Sequence, residues 1–272
     1  MEIITSLDDP RVAAYRNLRD RTLRGERVFV AEGYVLTRRL LESRFEAESI
    51  LVDEEYAGEF ERLAAGRMPI YAAPKTLLLS IVGFPFHRGA LAVGRRPSPR
   101  SLEEILALRP PGPSSDRLRL VVLPDMTKPE NLGLVFRDAA AFGIDAIVLG
   151  PRSCDPLSRR ALRVSMGAVL TVPFARSADL GSDLSSLKCR WGVELTAAVL
   201  DNDAPSLADA SWPPRAAVVL GNEFDGLSAE WLSLCDRRLT IPMRPDTDSL
   251  NLGVAAGVFL YEMTIRGTGP TE

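Results

Sequence analysis

Three stretches of the sequence place polar side chains beside glycine in a way that suits chemistry as well as packing. In the first, residues 124–143, Asn131 precedes Gly133 and Arg137. An amide can orient a substrate through hydrogen bonds, and a guanidinium can bind a phosphate through two parallel ones. A structural interpretation stays open, in which Asn131 caps a helix and Arg137 is an ordinary surface residue.

The second stretch, residues 218–228, ends an apolar run with Gly221, Asn222 and Glu223, and Gly226 follows. Two glycines around a carboxylate favour a tight loop that offers backbone groups to a ligand. An ordinary turn between a strand and a helix is the alternative. A calcium loop is disfavoured, because the alternating oxygen ligands and the distal glutamate of such loops are missing.

The third stretch holds Ser249 and Asn251 just before an apolar helix that contains Gly253 and Gly257. Glycine inside a helix costs about 1 kcal/mol relative to alanine. We therefore expect another element to approach this helix closely, and the helix to be buried in a core or in a subunit interface. Ser249, or Asp248 before it, is expected to cap the helix.

The elements that must position these loops alternate along the second half of the chain. Apolar runs predict strands, and segments with helical periodicity follow them. The predicted strands are 117–125, 145–150, 191–200, 216–221 and 238–243, and the predicted helices are 131–143, 155–168, 228–236 and 249–265. This alternation implies an α/β fold with a parallel sheet that is covered on both faces. Ligands bind at the carboxyl ends of such strands, so the three loops are expected to form one site.

A segment rich in proline and serine, residues 97–117, predicts a linker between two domains. Before it, residues 1–96 alternate strands and helices in a small α/β domain, and residues 118–272 form the second domain. Arginine is frequent near the start of the first domain, where it includes Arg24 and Arg27. A solvated helix face and an RNA-binding patch both account for these arginines.

Composition excludes several classes of protein. The chain has 272 residues and a net charge of -3, so it is not a basic protein that coats nucleic acid without specificity. Its positive charge is almost all arginine, which a GC-rich genome explains as well as function does. The three cysteines lack metal-ligand spacing and are expected to be reduced thiols in the cytoplasm. No run is long enough to span a membrane, and we expect no signal peptide.

Common nucleotide-binding and hydrolase motifs are missing from the sequence. There is no GxGxxG after the first strand of a βαβ unit, no GxxxxGK[ST] and no GxSxG. The only histidine, His87, lies in the first predicted domain, which disfavours histidine as a general base in the second. No cluster of histidine and cysteine indicates zinc, and we expect no metal.

Taken in order, the three stretches resemble the SpoU/TrmH family of RNA ribose 2′-O-methyltransferases, within the SPOUT superfamily. The matching motifs are N-x-G-x-x-x-R with A-x-x-F-G, then G-N-E-x-x-G, then I-P-M with S-L-N. RVSMGA at 163–168 fits the segment that follows the first motif. In the N-terminal region, FVAEGYVLTRRLLES and HRGALAV resemble a small RNA-binding domain that precedes the catalytic domain in many members.

The resemblance implies a SPOUT-type parallel sheet with a C-terminal trefoil knot, and a homodimer whose interface includes the last helix. Knots are rare exceptions among chain topologies, so this expectation comes from the resemblance alone. The implied reaction moves a methyl group from S-adenosylmethionine to a ribose 2′-hydroxyl. The residues expected to bind this cofactor are Leu220, Gly221, Asn222, Ile241, Met243 and Leu250.

The resemblance also makes Arg137 the central catalytic residue, assisted by Asn131, Glu223, Ser249 and Asn251. Because a guanidinium stays protonated in proteins, we expect Arg137 to bind the target phosphate and stabilise a developing alkoxide, not to act as a base. The proton acceptor stays open between Glu223, a phosphate oxygen and water.

Two positions depart from the family pattern. Gly253 stands where a serine is common, and Asp138 stands where threonine or serine is common. We interpret both as variation in substrate handling, since the other motif residues are intact.

An RNA substrate requires positive charge near the site. Four arginines follow the second strand of the predicted catalytic domain, with Asp155 as the only acid among them. We expect these four, together with two from the first domain, to bind phosphates in a salt-dependent way. The six residues are Arg152, Arg159, Arg160, Arg163, Arg24 and Arg27.

The favoured function is 2′-O-methylation of ribosomal RNA, by analogy with enzymes that carry a separate N-terminal binding domain. The alternatives are a transfer RNA 2′-O-methyltransferase, a non-catalytic RNA-binding member of the fold and a methyltransferase with a non-RNA substrate. The intact motif residues argue against a non-catalytic member, and the N-terminal domain argues against a non-RNA substrate. Antibiotic resistance through ribosomal RNA methylation is consistent with the favoured function.

Overall fold

The computed structural model describes residues 1–16, 27–83, 89–109, 116–244 and 249–266. Its contacts divide the chain into two compact units, Met1–Ser98 with Asp155–Thr171, and Pro99–Cys154 with Val172–Glu272. Residues 155–171 therefore pack with the first unit, although their position in the sequence lies within the second predicted domain. Arg24, His87, Asp248 and residues 110–115 of the predicted linker lie outside the described residues.

The described part of the first unit contains a mixed five-stranded sheet. Its elements are β1 (Glu2–Ile3), β2 (Val28–Glu32), α1 (Tyr34–Glu42), β3 (Ala47–Asp53), α2 (Glu54–Ala64), β4 (Ile70–Ala73), α3 (Lys75–Val82) and β5 (Ala90–Arg95). The strand order is β1-β4-β3-β5-β2, and β5 runs antiparallel to both β2 and β3. The pairs β1–β4 and β3–β4 are parallel, and α2 forms the crossover between β3 and β4.

The described part of the second unit contains a six-stranded sheet in which every pairing is parallel. In chain order the elements are α4 (Leu102–Ala107), β6 (Leu118–Leu123), α5 (Pro129–Ala141), β7 (Ala146–Leu149), α6 (Arg159–Val164, which packs in the first unit), β8 (Phe174–Arg176), α7 (Leu180–Cys189), β9 (Glu194–Ala198), β10 (Arg215–Leu220), α8 (Ala229–Leu234), β11 (Arg237–Leu239) and α9 (Leu252–Tyr261). The prediction of an α/β fold with a parallel sheet is confirmed.

The central strands of this sheet are buried. β6 is buried along its whole length, and β10 is buried from Ala216 onward, as unbroken apolar runs predict. Even Arg119 of β6 is only 2% exposed, and its guanidinium donates to the carbonyl oxygen of Pro213. Burial lowers the pKa of Arg119 to about 10. The sheet is thus a rigid frame for the loops at its edge.

The strand order β11-β9-β10-β6-β7-β8 places a switch point between β6 and β10, because the chain builds outward from β6 in one direction and then in the other. Ligand sites of parallel sheets lie outside the carboxyl ends of the strands at such a point. The last strand is shorter than predicted, since β11 ends at Leu239 and Thr240 pairs only with Ser206. The loops after β9, β10 and β11 therefore begin at the same edge.

Candidate active site

A cavity of about 730 Å³ opens at the carboxyl edge of the second sheet. This volume lies within the usual range for small-molecule sites. Its walls come from the loops after β9, β10 and β11 and from the first turns of α5 and α9. All six predicted cofactor residues and four of the five predicted catalytic residues line it: Leu220, Gly221, Asn222, Ile241, Met243, Leu250, Asn131, Glu223, Ser249 and Asn251.

The loop after β10 is folded tightly on itself. The Asn222 backbone N–H donates to the Gly226 carbonyl oxygen at 3.1 Å, and the Asn222 side-chain oxygen accepts from the N–H groups of Phe224 and Asp225. A Cβ atom at Gly221 would lie 2.1 Å from the backbone of Gly226, which no side chain tolerates. Gly226 itself has φ +67°, a conformation that favours glycine. Both glycines of this motif are therefore required by the backbone.

Asn131 joins the three predicted motifs through its side chain. Its amide nitrogen donates to Glu223 Oε1 at 2.5 Å, and its amide oxygen accepts from the Asn251 amide nitrogen at 3.0 Å. A carboxylate can only accept, so this network fixes the orientation of the Asn131 amide. Asn131 is 4% exposed, so losing either partner would leave a buried polar group unpaired.

The helix caps differ from the sequence interpretation. Lys128 precedes the first residue of α5, Pro129, so Asn131 lies inside the first turn and is not the cap. Asn251, not Ser249, caps α9, because its side-chain oxygen accepts from the Gly253 N–H at 2.9 Å. The expectation for Ser249 was wrong because the helix begins after Asn251, which places Ser249 on the cavity wall instead.

One carboxylate oxygen of Glu223 has no hydrogen-bond donor among the described residues. Its Oε1 atom accepts from Asn131, whereas Oε2 is buried and has no hydrogen-bond partner among the described residues. A buried carboxylate oxygen without a donor is costly, so this atom is suited to receive a hydrogen bond or a proton from a ligand.

Arg137 is exposed on α5 and is not among the described residues that line the cavity. Six residues along a helix rotate a side chain by about 240°, so Arg137 and Asn131 point in different directions. The structure thus brings Asn131, Glu223, Ser249 and Asn251 together and leaves Arg137 outside that group.

Asp138 lies on α5 and its carboxyl group faces α9. Sequence reasoning did not identify this neighbour. The Asp138 Oδ2 atom would be 3.3 Å from a Cβ atom at Gly257, so the carboxyl faces α9 at close range. Burial raises the pKa of Asp138 to about 6, and the charge of Arg137 opposes that rise.

Three of the arginines predicted to bind RNA are engaged in ion pairs. Arg152 pairs with Asp125 at 2.7 Å, and Arg159 pairs with Glu32 at 2.7 Å, with Arg163 4.0 Å from the same carboxyl group. These acids are distant in sequence, which is why the segment looked more positive than it is. Arg27 and Arg160 are exposed side chains, and Arg24 lies outside the described residues.

Two residues on the cavity wall were missed as functional candidates, Lys128 and Phe224. The Lys128 ammonium lies 4.5 Å from the centre of the Phe224 ring, and this ring is 77% exposed. The available signal was an aromatic residue inside an otherwise polar loop.

None of the helices among the described residues has the length and apolar content that a membrane span requires. That part of the chain also contains no group of three or more His, Cys, Asp or Glu side chains placed to hold a metal ion.

Known proteins resemble this chain over nearly its whole length. The SpoU rRNA Methylase family matches residues 119–261. An uncharacterized tRNA/rRNA methyltransferase of Mycobacterium bovis is 36% identical over 269 residues, 96% of this chain and 90% of that protein. The 23S rRNA (guanosine-2′-O-)-methyltransferase RlmB of Acinetobacter baylyi is 32% identical over 197 residues, 71% of this chain and 77% of that protein.

A solved structure agrees with these relatives. The AdoMet-bound rRNA methyltransferase from Sinorhizobium meliloti superposes with a TM-score of 0.78 at 25% identity, over 96% of this chain and 97% of that one. The family match, the relatives and the solved structure are all RNA methyltransferases by name. The chain therefore belongs to the SpoU rRNA methylase family.

Proposed function

We propose that this chain is an enzyme that transfers a methyl group from S-adenosylmethionine to a ribose 2′-hydroxyl of ribosomal RNA. The observation that carries the proposal is the hydrogen-bonded set of Glu223, Asn131 and Asn251 on the cavity wall, which joins all three family motifs. The relatives support the substrate class, since RlmB of Acinetobacter baylyi is named as a 23S rRNA methyltransferase.

The cavity suits the cofactor that the Sinorhizobium meliloti relative binds. Leu220, Met243 and Leu250 offer apolar surface for an adenine, and Gly221 lets the loop after β10 fold closely at the wall. Asn222 and Ile241 complete the set of residues that would hold the cofactor. When bound, S-adenosylmethionine supplies an activated methyl group, so the protein has to supply alignment and removal of a proton.

Different residues of the network supply the alignment and the removal of the proton. Glu223 and Asn251 fix the Asn131 amide, and Ser249 lies on the same wall, so together they can orient a ribose by hydrogen bonds. We assign Glu223 Oε2 as the acceptor of the 2′-hydroxyl proton, because it is buried and has no donor among the described residues. A positioned carboxylate of this kind contributes typically 10²–10⁴-fold as a general base.

Arg137 has a different part in this scheme. Because it is exposed and outside the described cavity wall, we assign it to a phosphate of the RNA that extends beyond the cavity. Arg137→Ala is expected to reduce methyl transfer at least tenfold and to leave the affinity for S-adenosylmethionine unchanged, with partial recovery in Arg137→Lys. Methyl transfer assays and calorimetric titration of the cofactor measure the two quantities. Equal loss of both would refute this role.

Family membership supports the remaining assignments. We assign RNA recognition to residues 1–96, a linker to residues 97–117, and catalysis to residues 118–272, whose C-terminal segment we expect to form the trefoil knot. The additional N-terminal region favours ribosomal RNA over transfer RNA. An enzyme with this substrate acts in the cytoplasm, where ribosomes are assembled.

We also propose a homodimer that is built on α9. Val254, Val258 and Tyr261 are 51%, 37% and 44% exposed and lie three to four residues apart, so they form one apolar stripe along the helix. A stripe of this kind on a helix is typical of a surface that a second helix covers.

The proposed function is tested by transfer of a labelled methyl group from S-adenosylmethionine to total RNA from cells that lack this gene. We expect label at one ribose of one ribosomal RNA. The position is mapped as the phosphodiester bond that resists alkaline hydrolysis, because a methylated 2′-hydroxyl cannot attack it. Label on a base, or on transfer RNA alone, contradicts the proposed substrate. Absence of both label and cofactor binding contradicts the enzyme assignment itself.

A further inference from the structure

Phe224 is unusually exposed for an aromatic residue at the wall of a ligand cavity. Its ring is 77% exposed, the highest value among the large apolar side chains of the described residues. A phenylalanine in this position lacks the burial that would stabilise the fold, and its place on the cavity wall favours a role in contacting a ligand.

The loop holds the backbone of Phe224 in a fixed place. The Asn222 side-chain oxygen accepts from the Phe224 N–H at 2.8 Å and from the Asp225 N–H at 2.7 Å, and the backbone closes between Asn222 and Gly226. The ring therefore projects from a short, hydrogen-bonded turn next to Glu223, at the rim of the cavity. A turn whose backbone is ordered before binding loses little backbone conformational entropy when a ligand stacks on the ring that it carries.

A second loop supplies a cation to the same ring. Lys128 immediately precedes α5, three residues before Asn131, and its ammonium lies 4.5 Å from the centre of the Phe224 ring. One face of the ring thus meets a positive charge, while most of the ring remains accessible. An aromatic face beside a cation is the combination with which proteins bind single-stranded nucleic acids, through base stacking and phosphate contact.

We propose that Phe224 stacks on an unpaired base of the RNA at or beside the methylated nucleotide, and that Lys128 binds an adjoining phosphate. This inference rests on the proposed function, since it names how the same site takes its RNA. The cofactor adenine is the less suitable occupant, because Leu220 and Met243 offer it apolar surface that is buried or partly buried, whereas Phe224 is largely exposed.

The test compares native protein with Phe224→Ala, Phe224→Trp and a matched control, Leu108→Ala, whose side chain is 64% exposed on another part of the unit. The probe is a single-stranded oligoribonucleotide that carries 2-aminopurine, whose fluorescence is quenched by stacking. Phe224→Ala is expected to weaken RNA binding roughly tenfold and to lose the quenching, while Phe224→Trp retains both. The affinity for S-adenosylmethionine, titrated separately, should stay within about twofold of the native value in every variant.

Lys128 is tested by the salt dependence of the same binding. Lys128→Ala should reduce the slope of log affinity against log salt by about 0.7, as expected for one phosphate contact to a single strand, and Lys128→Arg should restore it. An unchanged slope would remove Lys128 from the proposal.

The inference is overturned if Phe224→Ala binds the oligoribonucleotide as tightly as Leu108→Ala, if native protein does not bind it, or if Phe224→Ala loses affinity for S-adenosylmethionine instead. Failure of the proposed function is a separate result, because it would appear as native protein that transfers no methyl group to RNA whether or not the ring stacks.

Discussion

At the scale of single residues, the site depends on one asparagine that satisfies two partners at once. Asn131 gives a donor to Glu223 and an acceptor to Asn251, and neither aspartate nor glutamine supplies both at this distance. Aspartate would place a second carboxylate against Glu223. The network therefore explains the choice of side chain by hydrogen-bond chemistry.

We expect Asn131→Ala to lower methyl transfer about 100-fold, because Glu223 and Asn251 lose their shared partner and the ribose is no longer aligned. The free energy of unfolding should fall by about 1–3 kcal/mol, the usual cost of leaving buried polar groups unpaired. Single-turnover methyl transfer and urea denaturation measure the two effects. Activity close to that of the native enzyme would show that the network is structural only.

Asp138 makes stability depend on pH. Its pKa is about 6 in the folded protein against 3.8 for an ordinary aspartate, and burial is the main cause. The folded state therefore binds the proton more tightly, so its stability falls as the pH rises from about 4 to 6 and stays lower above that. Arg137 and Gly257 are the neighbours that face this carboxyl.

Asp138→Asn should remove this dependence. We expect the variant to be more stable than native protein by about 1 kcal/mol at pH 8, after allowance for solvent screening of a partly exposed carboxyl, and equal to it near pH 4. Urea denaturation at the two pH values provides the comparison. A stabilisation that is the same at both pH values would mean that the titration of Asp138 is not its source.

Sequence reasoning identified the residues of the network but not their arrangement. Asn131, Glu223 and Asn251 were recognisable because loops at the carboxyl ends of parallel strands meet. The partners of Arg152 and Arg159 were not, because Asp125 and Glu32 come close only in the folded chain. Charge counted along the sequence overstates charge at a surface whenever acids arrive from other elements.

At the scale of elements, the close packing of α5 and α9 explains why α9 contains glycine. A Cβ atom at Gly253 would lie 2.6 Å from Cβ of Leu134 on α5, whereas one at Gly257 would lie 3.3 Å from the movable end of Asp138. Close approach was predicted, and the structure identifies α5 as the neighbour. The first glycine sets the distance at which Asn251 reaches Asn131.

Gly253→Ala is expected to destabilise the protein by about 1–3 kcal/mol and to lower methyl transfer, because α9 must move away from α5 and carry Asn251 with it. Gly257→Ala is the matched control and should be close to neutral, since the helix propensity of alanine offsets a mild contact. Thermal unfolding and methyl transfer are measured for both. Equal effects of the two substitutions would contradict this account.

Sequence reasoning predicted some helices and strands more accurately than others. β6 and β10 were clear because both faces of the central sheet are covered and the strands read as unbroken apolar runs. The helix predicted over 155–168 is limited to Arg159–Val164, because Ser158 caps it and its carboxyl end turns through Met166, at φ 52°, and Gly167. The antiparallel placement of β5 depends on pairing between distant segments, which local pattern does not contain.

At the scale of the whole molecule, the proposed homodimer predicts the effect of a charge on α9. Val258→Asp should convert the dimer to a monomer, because a carboxylate in the centre of an apolar interface loses its hydration without gaining a partner. Sedimentation velocity gives the mass of both forms. Leu108→Asp, which adds the same charge at another exposed position, should leave the dimer intact. A native protein that sediments as a monomer at micromolar concentration would contradict the proposal.

Because residues 155–171 pack with the first unit, the ribosome must translate the chain past residue 171 before that unit is complete. Until α6 has been made, β2 lacks one of the two helices that contact it among the described residues, with only α1 in place, and Glu32 lacks Arg159. At about 5–20 residues per second, the intervening segment Pro99–Cys154 takes on the order of several seconds to emerge. We expect a nascent chain that is arrested near residue 150 to be cut by protease around β2, and one arrested well beyond residue 171 to resist. The first unit is therefore completed only after translation of the second unit has begun.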